Sequence, residues 1–333
     1  MRVLSLNDVK EIFTMCDAIE AVETACAENV KGNMETPNKI HIVNNANNSD
    51  TLFMPARLSR MGIMGLKIIS RVPNNVNKGL PTSIGMVIIF DDLTGLPLLA
   101  MEAGYLTNIR TGALTGVACK HLARPDSTKL AIIGTGVQAQ TQALAIAEVL
   151  NIGEIRIYSR KPERVCRFIR TMEASLAGIN FIPATSGEEA VRGADVVVCA
   201  TSAINPVLFR DWIAPGTCVC AIGTYNTSRE REVDSETLRD ASIIVADCRK
   251  AVLAFGGDVI IPLKEGVINE AQVIDLGELV LGTKNGRQSA SEITFFKSVG
   301  FAGVDISIGK KLFEKAKELD VGIEVPLYPD EKR

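Results

Sequence analysis

Histidine is scarce in this chain of 333 residues, where His41 and His121 lie far apart in sequence. A site that needs several imidazole ligands is therefore not available, and we predict no metal centre. The eight cysteines include no Cys-x-x-Cys pair. Cys218 and Cys220 would lie on the same face of one strand, a poor geometry for a disulfide. We expect reduced, mostly buried cysteines in a cytoplasmic protein.

The chain also lacks a run of Lys and Arg, and its net charge is −3. This balance gives no indication of a nucleic acid or an anionic membrane surface as a partner. No stretch reaches the roughly eighteen apolar residues that a membrane-spanning helix needs, and the N-terminus has no apolar segment of signal-peptide length. With 47% hydrophobic and 23% charged residues, the composition is that of an ordinary globular protein, long enough for two domains.

A strand, a glycine turn and a helix follow one another in the middle of the chain. The apolar run 130–133 ends at Gly134-Thr-Gly-Val-Gln-Ala139 and is followed by an Ala- and Leu-rich stretch at helical spacing. This context favours a dinucleotide fingerprint over a purely structural turn. The first glycine permits the turn, the second lets a pyrophosphate approach the backbone, and the helix N-terminus attracts its charge. The predicted cofactor-binding residues here are Gly134, Thr135, Gly136, Val137 and Gln138.

The end of the next strand indicates which nucleotide binds. A carboxylate about twenty residues past the fingerprint would select NAD(H), because it binds the ribose 2′-hydroxyl and repels a 2′-phosphate. The chain instead reads Tyr158-Ser159-Arg160-Lys161. A hydroxyl and two cations suit a 2′-phosphate, although a solvated basic loop would look the same. We predict Ser159, Arg160 and Lys161 as cofactor-binding residues, with NADP(H) preferred and NAD(H) possible.

The hydrophobic pattern differs on the two sides of the fingerprint. Before it, apolar and polar residues alternate with a period of two, which predicts an antiparallel sheet. After it, short apolar runs alternate with helical stretches, which predicts a parallel, helix-covered sheet. The fold class is thus α/β: a Rossmann-type doubly wound parallel sheet together with an α+β domain whose sheet is mainly antiparallel. The pattern becomes less regular in the last third. The predicted antiparallel strands are 39–43, 51–54, 62–69, 85–90 and 96–101, followed by a helix at 106–122.

Two basic residues stand out in the first part of the chain. Lys67 lies within an apolar strand, where burial of an ammonium is rare unless it is paired. It could face a binding pocket, or reach water along a strand edge. Arg110 lies in the small-residue helix and could be a surface arginine or could grip a carboxylate through two parallel hydrogen bonds. Spacing alone leaves both alternatives open.

Taken together, the ordered motifs resemble the ornithine cyclodeaminase/mu-crystallin family over nearly the whole chain. The resemblance implies an N-terminal substrate-binding and dimerisation domain, completed by the C-terminal helix, with a Rossmann domain inserted between. We accordingly expect domains at 1–124 plus 302–333 and at 125–301, and a homodimer. Family members handle small α-amino or α-imino acids. The motifs are Leu66-Lys67, Gly79-Leu-Pro-Thr82, Asn108-Ile-Arg110-Thr111-Gly-Ala, the fingerprint itself, and Ile293-Thr-Phe-Phe-Lys-Ser-Val-Gly300.

The resemblance also implies roles for individual residues. Arg110 matches the arginine that holds the substrate carboxylate, and Lys67 matches the lysine beside the carboxylate and the reacting nitrogen. We expect these two residues to be catalytic. Lys39 stands where the family has a second arginine, so the charge is kept but the two-pronged contact is lost. The other implied substrate-binding residues are Thr82 and Thr224, and the other implied cofactor-binding residues are Thr111, Thr201, Ser202 and Gly223.

Three departures from the family pattern bear on the reaction. Ornithine cyclodeaminases carry an aspartate where this chain has Thr224-Tyr-Asn226, and an acidic residue where Leu52-Phe53 precede Met54-Pro55. Their second Rossmann strand also ends in acidic residues. We therefore predict an NAD(P)-dependent oxidoreductase acting on the C–N bond of a small α-amino or α-imino acid. The alternatives are a cyclodeaminase that forms proline or pipecolate and ammonia, and a crystallin-like protein that binds NADPH or a ligand without turnover.

Overall fold

The computed structural model describes residues 1–223 and 230–328, which form short strands and helices in alternation. The strands are β1 Arg2–Leu4, β2 Met34–Glu35, β3 Ile40–Asn44, β4 Ser49–Leu58, β5 Ile63–Arg71, β6 Ser83–Asp91, β7 Pro97–Glu102, β8 Lys129–Ile133, β9 Glu154–Tyr158, β10 Asn180–Pro183, β11 Val196–Cys199, β12 Cys218–Ala221, β13 Ile243–Ala246, β14 Val273–Asp275, β15 Thr294–Lys297 and β16 Ile323–Glu324. The helices are α1 Leu6–Ile12, α2 Met15–Val30, α3 Gly104–Leu122, α4 Val137–Val149, α5 Pro162–Glu173, α6 Gly187–Val191, α7 Ser235–Asp240, α8 Arg249–Phe255, α9 Gly257–Lys264, α10 Leu276–Val280 and α11 Ala302–Glu318.

The chain divides into two compact units, Met1–Arg110 with Phe301–Arg333 (unit 1) and Thr111–Gly300 (unit 2). The division falls inside α3, whereas the sequence placed the boundary after this helix, at residue 124. The second part of α3 packs closely within unit 2 because it contains small residues. A Cβ on Gly112, for example, would lie 2.4 Å from the backbone oxygen of Thr141, so a larger residue would not fit there. The boundaries at 124 and 302 remain predictions about domains that fold independently.

Unit 1 is built on one mainly antiparallel sheet. Within its described residues the strand order is β16-β1-β7-β6-β5-β4-β2, and β3 also pairs with β4. The β1–β7 pair is parallel and the other pairs are antiparallel. Alternation along β5 buries one set of side chains and leaves the other partly accessible, as the period of two predicted.

Helix α11 lies on this sheet and fixes one of its faces. The helix is amphipathic, and its buried residues run from Ala302 to Gly309 and continue with Leu312 and Ala316. The approach is close, since a Cβ on Gly65 of β5 would lie 2.7 Å from Cδ1 of Ile306. The C-terminal helix therefore belongs to the fold of the N-terminal sheet, and the side chains of its first turns are buried.

Unit 2 is built on a parallel sheet. In its described part the strand order is β10-β9-β8-β11-β12-β15-β13-β14, with every pair parallel. Strands β8, β11 and β12 consist almost entirely of buried aliphatic residues and cysteine, as expected for a sheet covered on both faces. The predicted fold class is confirmed: the protein is α/β, with a parallel sheet and a separate, mainly antiparallel sheet.

The structure differs from the sequence prediction mainly after residue 230. The stretch around Gly256 and Gly257 was expected to be irregular, but it forms the junction between α8 and α9. A Cβ on Gly257 would lie 1.9 Å from the backbone oxygen of Glu230, so these glycines serve close packing as well as chain reversal. Among the described helices, none is both long enough and apolar enough to cross a membrane.

Candidate active site

Lys67 is a buried basic residue of the unit 1 sheet. It lies in the middle of β5, on the face that also buries Ile63, Gly65 and Ile69, and its side chain is 1% exposed. A lysine inside an apolar face requires a partner, because removing an ammonium from water costs several kcal/mol. Its Nζ donates a hydrogen bond of 2.9 Å to Oδ1 of Asp305. Of the two alternatives left by the sequence, the structure places Lys67 in the interior.

Asp305 lies in the first turn of α11 and is fully buried. No local sequence pattern marks Asp305, because it is 238 residues from Lys67 and the chain contains many acidic residues. The N-terminal turn of a helix favours a carboxylate, since the free N–H groups and the helix dipole carry partial positive charge there. Packing of α11 on the sheet thus brings a negative charge to the buried ammonium of Lys67.

Arg110 completes this group from α3. The Glu102 carboxylate accepts the N–H groups of Gly104 and Tyr105, which fixes the beginning of the helix that carries Arg110. Arg110 is 7% exposed, and its Nε lies 3.4 Å from Oδ1 of Asp305. Two predicted residues, Lys67 and Arg110, are therefore brought together around an unpredicted carboxylate.

Burial is the main influence on the pKa of Lys67, and the neighbouring charges modify it. Burial lowers the pKa of Lys67 to about 8, an effect that Arg110 reinforces and Asp305 opposes. Among the described residues, Oδ2 of Asp305 has no hydrogen-bond partner, and neither has Nε of Arg110. Buried polar atoms are normally paired, so this cluster has capacity for a small polar ligand.

The predicted residues Lys39 and Thr82 lie outside this buried cluster. Both are exposed, Lys39 just before β3 and Thr82 just before β6. The pKa of Lys39 is lowered by desolvation and by the charge of Arg71. Arg71, at the end of β5, pairs with Asp50, which also lies 2.6 Å from Nε2 of His41. No local sequence pattern marks the group of His41, Asp50 and Arg71, because its members come from three different strands.

The fingerprint of unit 2 has the geometry that its glycines predicted. Gly134 has a φ of +117°, and a Cβ there would lie 2.3 Å from the backbone oxygen of Ala200. Gly136 is the N-cap of α4, whose first turn has no side-chain cap, and a Cβ on Gly136 would meet no atom within 4 Å. Open space beside uncapped helix N–H groups fits a dinucleotide pyrophosphate. Thr135, Val137 and Gln138 complete this turn.

The remaining predicted cofactor residues follow other strands of the same sheet. Ser159, Arg160 and Lys161 come directly after β9, and both cations are exposed. Thr201 and the exposed Ser202 follow β11. The carboxyl ends of parallel strands lie at one edge, so all these residues share an edge with the fingerprint.

Gly223 follows β12 and lies close to Thr201, since a Cβ on Gly223 would be 2.2 Å from the backbone oxygen of Thr201. Thr111 is a buried residue of α3 in unit 2. Thr224, predicted to bind substrate, lies outside the described residues.

Three cysteines form a group that was only partly foreseen. The sequence placed Cys218 and Cys220 on one face of a strand, and the structure adds Cys119 from α3, with the three sulfur atoms within 4.8 Å of one another. All three are buried, and hydrogen bonds from the other two thiols lower the pKa of Cys218 well below its usual value. The absence of a metal centre stays a prediction.

The fold and the fingerprint define a dinucleotide-binding class of protein. The chain belongs to the ornithine cyclodeaminase/mu-crystallin family, whose model matches residues 1–320. This confirms the resemblance drawn from the motifs.

Two relatives illustrate the similarity. A Delta(1)-pyrroline-2-carboxylate reductase of Bacillus cereus is 35% identical over 323 residues, which are 97% of this chain and 98% of that protein. A solved structure of the Thermococcus litoralis Delta(1)-pyrroline-2-carboxylate reductase, in complex with NADH and L-proline, is 40% identical with a TM-score of 0.92, covering 98% of this chain and 100% of that one.

A third comparison concerns assembly as well as fold. An archaeal alanine dehydrogenase, solved as a dimer with bound NAD, is 34% identical with a TM-score of 0.89, covering 98% of this chain and 99% of that one. Structural neighbours therefore bind NAD(H), which agrees with the interpretation of the fingerprint as a dinucleotide site.

Proposed function

We propose that this protein is an NAD(P)-dependent oxidoreductase that reduces the C=N bond of a small α-imino acid, or oxidises the corresponding amino acid. The observation that carries the proposal is the buried group of Lys67, Asp305 and Arg110, in which a lysine whose pKa is lowered to about 8 shares a carboxylate with a buried guanidinium. Relatives that reduce a cyclic imino acid or dehydrogenate alanine support the same reaction class.

In this proposal Arg110 binds the substrate carboxylate and fixes the orientation of the α-carbon. Guanidinium and carboxylate match through two parallel hydrogen bonds, which define direction as well as position. Lys67 then supplies the proton that the imine nitrogen gains when the α-carbon gains hydride. Asp305 keeps Lys67 protonated near neutral pH and holds its Nζ in place. Lys39 and Thr82 would contact the rest of the substrate.

The cofactor would be held by the Gly134–Gln138 turn, with Thr111, Thr201, Ser202 and Gly223 contributing along the same site. When bound, the nicotinamide supplies or accepts the hydride, and the protein provides orientation and electrostatics. Ser159, Arg160 and Lys161 support a preference for NADPH, because two exposed cations at the end of β9 suit a 2′-phosphate. NADH would remain a weaker alternative.

We further propose a cytoplasmic homodimer. Unit 1 exposes several large apolar side chains on β3 and β6, where Ile40 and Ile42 are 60% and 56% exposed and Met86 is 43% exposed. Ile40 and Met86 are in register with each other through Phe53 of β4 and Ile68 of β5, so these apolar side chains share one face of the sheet. An exposed apolar face of this kind is typical of an interface between subunits. The dimeric state of the archaeal alanine dehydrogenase gives independent support.

The decisive experiment is a cofactor-oxidation assay over a panel of carboxylated imines and keto acids. The panel holds Δ1-pyrroline-2-carboxylate, Δ1-piperideine-2-carboxylate, iminosuccinate, and pyruvate with ammonia or methylamine, each with NADPH and with NADH. We expect turnover of at least one cyclic or linear imine, faster with NADPH. A separate assay measures ammonia release from ornithine with NAD.

The outcomes separate the proposal from its alternatives. Proline and ammonia formed from ornithine without net cofactor change would make the protein a cyclodeaminase. Tight NADPH binding with no turnover across the panel would instead support a ligand-binding protein. Faster turnover with NADH would contradict the cofactor preference and leave the reaction class intact.

A further inference from the structure

Lys297 is a second fully buried lysine, and the proposed chemistry does not use it. It ends β15 within the Phe296-Lys297-Ser298 motif, and its side chain is 0% exposed. Its Nζ lies 2.7 Å from Oδ2 of Asp258 and donates a hydrogen bond of 2.7 Å to the backbone oxygen of Gly223. A buried ammonium paired in this way holds its partners in place, since breaking either contact leaves a buried charge unsatisfied.

Asp258 extends the contacts of Lys297 to a neighbouring segment. It lies in the first turn of α9 and is 0% exposed. While Oδ2 faces Lys297, Oδ1 accepts the backbone N–H groups of Glu232 at 2.6 Å and Val233 at 3.0 Å. The carboxylate therefore links the end of β15 to the segment that carries Glu232.

Glu232 connects Asp258 to the proposed cofactor site through further hydrogen bonds. Its side chain is buried, and Oε1 accepts the N–H of Thr201 at 2.6 Å and its hydroxyl at 2.7 Å. Oε2 accepts the N–H of Gly223 at 2.6 Å and of Ile222 at 3.1 Å. We call Lys297, Asp258 and Glu232 the Lys297 network.

The network fixes Gly223 from both directions, because its N–H donates to Glu232 and its carbonyl accepts from Lys297. Thr201 is fixed by its N–H and its hydroxyl, which also accepts the N–H of Ala203 at 3.1 Å. The Thr201 hydroxyl thus makes its hydrogen bonds within the protein. It would affect a bound ligand by fixing the local backbone and not by direct contact.

These two fixed positions lie on one half of the nucleotide-binding edge. The strand order reverses between β8 and β11, and dinucleotides bind across such a reversal. The fingerprint and the basic residues after β9 form one half, and the residues after β11 and β12 form the other. The adenosine phosphates belong to the first half, so the second half is left for the nicotinamide.

We propose that Lys297, Asp258 and Glu232 are positioning residues that hold Thr201 and Gly223 against the nicotinamide end of the cofactor, so that nicotinamide binding depends on this network and adenosine binding does not. The inference rests on the proposed function, because it requires a nicotinamide dinucleotide at this edge.

The test compares two ligands that share the adenosine half. NADH, titrated by its fluorescence, carries the nicotinamide, and ADP-ribose, measured by competition or calorimetry, lacks it. We expect Lys297→Met to raise the Kd for NADH about tenfold while the Kd for ADP-ribose changes by less than about twofold. Glu232→Gln, which leaves the Lys297–Asp258 pair intact, should give the same ligand-specific effect at about fivefold and serves if Lys297→Met does not fold.

Asp195→Asn is a matched control in the same unit. Asp195 resembles Asp258 in accepting two backbone N–H groups, from Thr128 and Lys129, and in pairing with one cation, Arg124. It lies just before β11, at the opposite edge of the sheet. This substitution should lower thermal stability and leave the ratio of the two Kd values unchanged.

Equal weakening of NADH and ADP-ribose by the network variants would overturn the inference and leave the proposed function standing. A shift in the ratio of the two Kd values by Asp195→Asn would also overturn it. Failure of the unsubstituted protein to bind NADH, NADPH or ADP-ribose would overturn the proposed function, and the inference with it.

Discussion

Each unit buries a lysine against an aspartate, and the two pairs differ in the other groups that they contact. In unit 2, Lys297 also donates to the carbonyl of Gly223, and Asp258 uses its second oxygen to accept two backbone N–H groups. In unit 1, Asp305 receives Lys67 and faces Arg110 with the same oxygen, and its Oδ2 has no hydrogen-bond partner among the described residues.

Under the two proposals, this difference distinguishes a positioning pair from a reactive one. Oδ1 of Asp258 and Nζ of Lys297 both bind backbone groups, so the pair links two segments of the chain, while Oδ2 of Asp258 contacts Lys297 as an ion pair. Asp305 and Arg110 retain capacity, and the pKa of Lys67 is lowered to about 8, which suits proton transfer at physiological pH. We therefore expect two pairs of the same residue types to act differently, because their neighbours differ.

The largest effect should come from Lys67→Met. The variant removes the proposed proton donor, so kcat for imine reduction should fall about 10²- to 10⁴-fold while the Kd for NADH stays within about twofold. Steady-state kinetics and fluorescence titration measure the two quantities. Lys297→Met should instead raise the Kd for NADH about tenfold. If Lys67→Met raised the Kd for NADH to a similar extent, the proposed distinction between the two pairs would be wrong.

Arg110→Met should have the second largest effect, and the quantity that changes should be KM for the substrate. Loss of a two-pronged charged contact should raise KM for the imino acid about 100-fold, because such contacts contribute about 2–3 kcal/mol. Arg110→Lys keeps the charge without the paired geometry and should recover only part of the loss. The carboxylate-anchor role fails if kcat/KM for every carboxylated substrate is unchanged in Arg110→Met.

The pH profile tests the direction in which Asp305 acts. Lys67 holds its proton below about pH 8, so kcat/KM for reduction should fall as pH rises through that value. The charge of Asp305 raises the pKa of Lys67, and Asp305→Asn should therefore move the falling limb to lower pH and reduce activity at pH 8 by about tenfold. A limb that stays in place would show that Lys67 is not the group that titrates.

A smaller effect is expected from Arg160→Ser. Removal of one cation from the proposed 2′-phosphate site should lower kcat/KM for NADPH about tenfold and leave that for NADH within about twofold. Lys67→Met, in contrast, should reduce turnover with both cofactors equally. If Arg160→Ser lowered kcat/KM equally for NADPH and NADH, Arg160 would not bind the 2′-phosphate and would belong to a solvated basic loop.

The smallest effect should come from Thr14→Ala, which is far in sequence from both lysines. Thr14 and Asp17 form a capping box at the start of α2. Loss of the cap should destabilise unit 1 by about 1 kcal/mol and lower its Tm by about 2–4 °C, with unchanged kinetics. Scanning calorimetry measures the shift, and altered kinetics in this variant would mean that stability and activity cannot be separated by these substitutions.

Local sequence patterns determined most of the fold. The period of two along β3 to β7 and the helical spacing after Gly134 are local properties, since each element shows its buried face over a few residues. Gly134 was predictable for the same reason, because its turn requires a backbone conformation that other residues avoid. Ordered motifs also identified the family, which a single glycine pattern would not have done.

The tertiary structure alone decided which charges meet. Lys67 and Asp305 are 238 residues apart, and Lys297 meets a backbone carbonyl 74 residues earlier. Nothing local marks Asp305 among the 39 acidic residues, or Glu232 as the acceptor for Thr201 and Gly223. A buried charge is identified by the partner that compensates it, and that partner is known only once the sheets and helices have packed.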